Sequence, residues 1–233
     1  MKFDVRVQLK LLYLDVYVKS VVSVIFNVGF SSDYIIKIMT QRGVEGVNRA
    51  YLVTALAKDE YSRKRNEDAM HAVVSYLNVV GIEDVRPVPV DLDREFEDVL
   101  LQVSVGLGKL DEDVEVYLVG GMRILLLALY YLAQVLDAFV KVKAISYDEN
   151  MQHSYLLPLR PPRVPRTQAQ VELLRALTTR QSVGELAERL GKSQSTVLKQ
   201  LESLGDLVEC DKVGRERVCE ASVLGRVVLN LMG

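Results

Sequence analysis

The 233 residues are enough for two domains with separate cores, and a composition 49% apolar and 26% charged places the chain among soluble globular proteins. The formal net charge of −2 hides an asymmetry: residues 1–159 hold 17 Lys+Arg against 22 Asp+Glu, and residues 160–233 hold 12 against 9. A nucleic-acid partner is therefore sought in the C-terminal third. The opening residues lack the uninterrupted apolar stretch of a signal peptide, and the longest apolar run, residues 124–136, falls short of the roughly 20 residues that span a bilayer. These features predict a cytoplasmic protein without a membrane partner. Cys210 and Cys219 are the only cysteines, His71 and His153 stand apart, and no Cys/His spacing suits zinc, so no metal or cofactor is expected.

The first 20 residues alternate Phe3, Val5, Val7, Leu9, Leu11 and Tyr13, which fits either an added strand or a non-native extension. From there strands and helices alternate. Residues 21–28 form an apolar β-rich run ending at Gly29, and residues 34–39 are helical in pattern. Residues 50–57 (AYLVTALA) predict a second strand and residues 67–80 a helix ended by Gly81. Residues 85–92 and 95–107 repeat the pair. Residues 114–119 run through Gly120-Gly121 into an apolar helix over 122–136, and residues 139–147 make a fifth strand. Residues 154–159 can return beside it as a hairpin across Asp148-Glu149-Asn150. Near-continuous apolar strands separated by helices imply a parallel sheet covered on both faces. The segment Arg160-Pro161-Pro162-Arg163-Val164-Pro165-Arg166 packs three prolines into seven residues and predicts an extended linker. The fold class is thus α/β: a Rossmann-like parallel-sheet domain over residues 1–159, a linker over 160–166, and a winged helix-turn-helix domain over 167–233.

In that last part Thr167 caps a helix, and Ser182-x-x-Glu185 is a capping box opening a second. Gly191 supplies a turn, and Ser193 caps a third helix whose apolar face is Val197, Leu198, Leu201 and Leu204. Ser193, Gln194, Ser195 and Thr196 then stand at its N-terminus with Lys199 behind them. Recognition helices need such short hydrogen-bonding side chains to reach base edges and cations to hold phosphates. A hairpin over LVECDKVGRERVCEA clusters Lys212, Arg215 and Arg217 at its tip, the position of a wing that grips the DNA backbone. A two-residue turn at Gly214-Arg215 sets Cys210 opposite Cys219, where either a disulfide or two small apolar residues would fit. The run LAERLGKSQSTVLKQLESLGDLVE resembles the winged-helix regulators of the ArsR and MarR kind, which implies a double-stranded DNA partner.

No GxxxxGK or post-strand GxGxxG is present, which disfavours ATP hydrolysis and standard dinucleotide binding. Two glycine-bearing turns remain, Gly29-Phe30-Ser31-Ser32 after the first strand and Gly120-Gly121-Met122-Arg123 after the fourth. In a sheet ordered 3-2-1-4-5 these flank the topological switch point, where ligands bind. Both open helices, whose free amides favour anions, and Ser31, Ser32 and Arg123 can complement them. Tight structural turns with Arg123 on the surface are the alternative reading.

The same residues, NVGFSSDYIIKIM and LVGGMRILLLALYYLA, are similar to the CRISPR-associated Rossmann-fold (CARF) domain. The tandem with a winged helix resembles the archaeal CRISPR-associated regulators of the Csa type, proteins of antiviral defence. The resemblance implies a homodimer through the Rossmann-like domains, with a cyclic oligoadenylate, typically the tetramer, bound across the two-fold axis. It implies transcription regulation at CRISPR promoters or the array leader, and a pocket formed by Gly29, Phe30, Ser31, Ser32, Gly120, Gly121, Met122 and Arg123. Many relatives place Thr or Ser before the basic residue, where this chain has Met122. The run Arg63-Lys64-Arg65 is either a further phosphate contact or a solvated face. Two other activities stay open: slow ring opening of the ligand, although the turns hold no His and no acid–base pair, and regulation by another anionic metabolite. A constitutive DNA-binding protein is a third possibility.

Overall fold

The computed structural model describes residues 21–161 and 163–232, so the alternating stretch from Phe3 to Tyr13 and Pro162 of the linker lie outside the described residues. The chain divides between Leu159 and Arg160 into two compact units.

In the first unit β1 (Val22–Val28), α1 (Asp33–Arg42), β2 (Val47–Ala55), α2 (Glu60–Val79), β3 (Asp84–Val90), α3 (Phe96–Leu107), β4 (Asp113–Tyr117), α4 (Arg123–Leu136) and β5 (Val142–Tyr147) follow in alternation. A short β6 (Ser154–Leu157) completes a six-stranded sheet ordered β3-β2-β1-β4-β5-β6, parallel except for β6. All seven residues of β1 are buried, as a central strand covered on both faces requires. One face packs Ile25, Tyr51, Val116 and Val88 against α3 and α4; the other packs Val24, Phe26, Leu52 and Tyr117 against α1 and α2. The outer strand β3 carries Pro87 and Pro89, which supply no N–H and blunt that edge against strand addition.

Several boundaries differ from the sequence reading. The second strand ends at Ala55, and just beyond it the Leu56 N–H still donates to the Val90 carbonyl of β3 at 2.8 Å. Helix α2 starts at Glu60, not residue 67, because Asp59 caps it by accepting the Ser62 N–H at 2.8 Å. Arg63, Lys64 and Arg65 therefore lie on its first two turns. The β5–β6 connection is longer than Asp148-Glu149-Asn150. Met151 adopts a positive φ of 58° there and buries its side chain in the core.

In the second unit α5 (Gln168–Ala176), β7 (Gln181–Ser182), α6 (Val183–Leu190) and α7 (Gln194–Leu204) precede a hairpin of β8 (Val208–Val213) and β9 (Glu216–Ala221) and a last helix, α8 (Val223–Met232). A three-stranded sheet ordered β7-β9-β8 packs with the helices around Leu174, Leu186, Val197, Leu201 and Leu207. Capping boxes start α5 at Thr167–Gln170 and α6 at Ser182–Glu185. Gly191 ends α6 in the left-handed region at φ 64°. Cys210 and Cys219 face each other across the hairpin and are joined by a disulfide, their Cα atoms 4.1 Å apart. The Pro-rich segment is not a free spacer along its whole length. Pro165 is buried, Arg163 donates to the Glu202 carbonyl at 3.4 Å, and the Arg166 N–H donates to Gln170 Oε1 at 2.7 Å.

Beneath the α1 side of the sheet lies a charge cluster that sequence patterning did not anticipate. Glu115 of β4 is only 8% exposed. Arg42, at the end of α1, donates from Nε to Glu115 Oε2 at 2.5 Å, and the Tyr117 hydroxyl donates to the same oxygen at 2.8 Å. Burial opposes the charged carboxylate, but these donors and the positive charge of Arg42 prevail and hold its pKa below the ordinary value. Burial, then the neighbouring Glu115 charge, push the Tyr117 hydroxyl up. Replacing Arg42 by Met leaves the buried carboxylate with the Tyr117 hydroxyl and the more distant Lys143, 3.5 Å from Oε1, and should cost about 3 kcal/mol in urea unfolding at pH 7. Arg42→Met/Glu115→Leu should recover most of that loss. Since Glu115 titrates lower when folded, its contribution is present above the unfolded carboxylate pKa and fades as pH falls through the folded value.

Candidate ligand crevice and nucleic-acid interface

The two glycine turns meet over the carboxyl ends of β1 and β4, and the residue that joins them is Asn27. Its amide, nearly fully buried near the end of β1, donates from Nδ2 to the carbonyl oxygens of Gly120 at 2.8 Å and Met122 at 3.2 Å. The β4–α4 turn is thereby hung from β1. Gly120 and Gly121 both take positive φ, 65° and 64°, a succession that only glycines adopt without strain. A Cβ on Gly121 would fall on the Asn27 amide, and one on Gly29 would stand 2.6 Å from the Gly121 Cα. Gly29 and Gly121 are thus required by the packing of one turn on the other, a stronger reason than access for a ligand. Asn27 escaped the sequence reading because one polar residue inside an apolar strand carries no periodic signal.

Beside these turns opens a crevice of about 520 Å³. Gly29, Phe30, Ser31, Gly121 and Met122 line it, together with Leu56, Lys58, Asp59, Arg65 and Asn66 beyond β2 and Asp91, Leu92 and Asp93 beyond β3. Gly120 and Arg123 are outside that lining; Arg123 is exposed as the first residue of α4. Ser32 instead lines an adjoining recess of about 360 Å³ with Phe30, Ser31, Asp33, Arg65 and Asp68. The Ser31 hydroxyl accepts the Asp33 N–H at 3.2 Å, while Ser32 makes no side-chain cap for α1. An ion pair between Lys58 and Asp93 links the loops beyond β2 and β3. Of the charged run, Arg65 alone reaches the crevice, its guanidinium 4.7 Å from the centre of the Phe30 ring. Capping by Asp59, which winds residues 60–66 into helix, was the missed signal.

On the other face of the sheet, Ile124, Leu127, Tyr131 and Val135 of α4 and Leu101 and Val105 of α3 are exposed although apolar. They form an outward stripe on two neighbouring helices.

In the second unit Gln194, Ser195, Thr196 and Lys199 are exposed at the start of α7. Ser193 is engaged as the N-cap: its Oγ accepts the Thr196 N–H at 3.2 Å and lies 2.9 Å from Ser195 Oγ and 2.8 Å from Thr196 Oγ1. At the hairpin tip Lys212, Arg215 and Arg217 are all exposed, and Lys212 stands directly opposite Arg217 across the strands. Like charges in such a pair destabilise a hairpin unless an anion joins them.

Among the described residues no group of three or more His, Cys, Asp or Glu is arranged to hold a metal ion, and no helix is long and apolar enough to cross a membrane.

The order of the parallel strands, the crevice at their carboxyl ends and the two apposed turns define a Rossmann-like domain. Residues 22–154, more than half of the chain, match the Csa3 CRISPR-associated Rossmann-like domain, and the chain belongs to that family. No curated protein matches the chain.

Hanging one turn from the other makes Asn27 a support of the site. Asn27→Ala should leave the Gly120 and Met122 carbonyls without their donor and cost about 1–3 kcal/mol in chemical unfolding. Gly29→Ala should cost at least as much, because the added methyl meets backbone and not a movable side chain.

Proposed function

We propose that this chain is a ligand-responsive transcriptional regulator of a CRISPR system. Its Rossmann-like domain dimerises and senses a cyclic oligoadenylate, the tetramer, and its C-terminal unit is a winged helix-turn-helix that binds double-stranded DNA. The observation that carries this reading is the pairing, in one chain, of a Csa3-type Rossmann-like domain open at its switch point with a unit whose α7 and basic hairpin are both exposed.

The chemistry of each part supports it. The crevice offers apolar walls for bases and Lys58 and Arg65 for phosphates. In α7, Gln194, Ser195 and Thr196 suit base edges, and Lys199 suits the backbone. Lys212 opposite Arg217 leaves two cations wanting the same anion, which a phosphate supplies. The stripe on α3 and α4 suits a second copy of the chain. Dimerisation through α4 would set Arg123, adjacent to Ile124 in that stripe, beside the interface. A ligand that prefers one arrangement of the dimer then alters DNA affinity, and DNA alters ligand affinity by the same factor.

Calorimetric titration of the purified protein with cyclic tetra-adenylate should give one ligand per dimer, and Arg123→Ala should weaken it. No heat at several temperatures, alongside a response to another nucleotide or sugar phosphate, would replace the ligand while keeping the regulator. For the second unit, Lys212→Ala/Arg215→Ala/Arg217→Ala should lower DNA affinity uniformly across sequences. It should flatten the slope of log K against log salt by about 3, one unit for each cation withdrawn from a phosphate. An unchanged slope would exclude the hairpin as a wing.

A further inference from the structure

Phe30 and Arg65 divide the ligand space of the Rossmann-like domain into two compartments. Both residues line the 520 Å³ crevice and the 360 Å³ recess, and the guanidinium carbon of Arg65 lies 4.7 Å from the Phe30 ring centre and 5.7 Å from that of Tyr61. Neither ring serves the core: Phe30 is 45% and Tyr61 71% exposed. The compartments differ in chemistry. The larger has apolar walls in Val28, Leu56, Leu92 and Met122 with Lys58, Asp59, Asp91 and Asp93 around them, whereas the smaller has no aliphatic wall beyond Ala69 and adds the Ser32 hydroxyl to Ser31, which lines both. Among the residues lining the smaller one, Arg65 is the one cation, set against Asp33 and Asp68.

Exposed aromatic surface at the edge of an apolar compartment offers a stacking face to a nucleobase, and a guanidinium held against a ring keeps its planar fork pre-oriented for a phosphate. Resting on the cyclic oligoadenylate reading above, we infer that the Phe30–Arg65 pair is the specificity-determining element of the crevice. One base stacks on Phe30 from the apolar compartment. The adjoining phosphate crosses the partition at Arg65, whose charge is needed there because Asp33 and Asp68 repel it. A phosphate lacking an attached base gains only the second contact, so the pair selects nucleotides over simple anions.

The test uses the full-length protein and cyclic tetra-adenylate carrying 2-aminopurine in place of one adenine, whose fluorescence falls when that base stacks. Wild-type protein should quench it on binding. Phe30→Leu, which preserves apolar volume, should bind about 10- to 100-fold more weakly with the quenching largely lost. Arg65→Lys, which keeps the charge but not the planar fork, should weaken binding about 10-fold and leave the quenching of the bound probe in place. Unchanged thermal unfolding of both variants checks that the fold is retained. Binding by wild type without quenching, full quenching by Phe30→Leu, or unaltered affinity of Arg65→Lys would each overturn the inference and leave the sensor reading standing. Failure of wild type to bind the unsubstituted ligand would overturn both.

Discussion

The first unit turns on the contact between two backbone turns. At the switch point β1 and β4 are neighbours, the loops that follow them meet above the sheet, and the crevice opens beside that meeting point toward the loops after β2 and β3. Asn27 reaches from β1 to two carbonyls of the β4–α4 turn, and Gly29 lies against Gly121 at a distance that excludes any side chain. The position of α4 relative to β1 is therefore set by hydrogen bonds and steric exclusion at one place. Every residue of the crevice that comes from these two loops takes its position from that contact.

Charge in the crevice follows a different logic from a simple anion trap. Asp59, Asp91 and Asp93 line it with Lys58 and Arg65, so no uniform positive field gathers phosphate. Asp59 is committed to capping α2, and Asp91 accepts the Asp93 N–H at 3.1 Å and is held by the side chains of Gln102 and Arg94 around its loop. The acidic residues thus organise the loops beyond β2 and β3, Asp93 by pairing with Lys58, and Arg65 stands against the Phe30 ring instead. The cap that consumes Asp59 is also what winds residues 60–66 into helix and turns Arg65 toward Phe30. One local hydrogen bond places a side chain that long-range topology alone would not.

The second unit is built from local signals that agree with one another. Its caps, the left-handed glycine after α6 and the apolar faces of α6 and α7 specify the same three-helix core. The disulfide ties the two strands of the hairpin at the third of their six facing pairs, between the core end and the turn at Gly214-Arg215. The exposed cations at Lys212, Arg215 and Arg217 lie on the turn side of that cross-link. Ser193 closes the start of α7, its hydroxyl accepting the Thr196 N–H, and exposed polar side chains follow it from Gln194.

Much of this was legible in the amino-acid order. Apolar runs separated by amphipathic stretches indicated alternating strands and helices and so a parallel sheet covered on both faces, because buried parallel strands and their covering helices have distinct periodicities. The glycines at 29, 120 and 121 marked the switch-point turns, and the capping boxes marked the starts of α5 and α6, since caps and turns depend on residues close in sequence. Tertiary structure decided what depends on residues far apart. Asn27 meets Gly120 across 93 positions, and Arg42 meets Glu115 across 73, so neither pairing leaves a trace in local pattern. The part Gly29 and Gly121 play, the entry of Arg65 into the crevice and the separation of Arg123 from it were likewise set by three-dimensional packing. Burial and steric exclusion act between surfaces, and those surfaces exist only once the chain has folded.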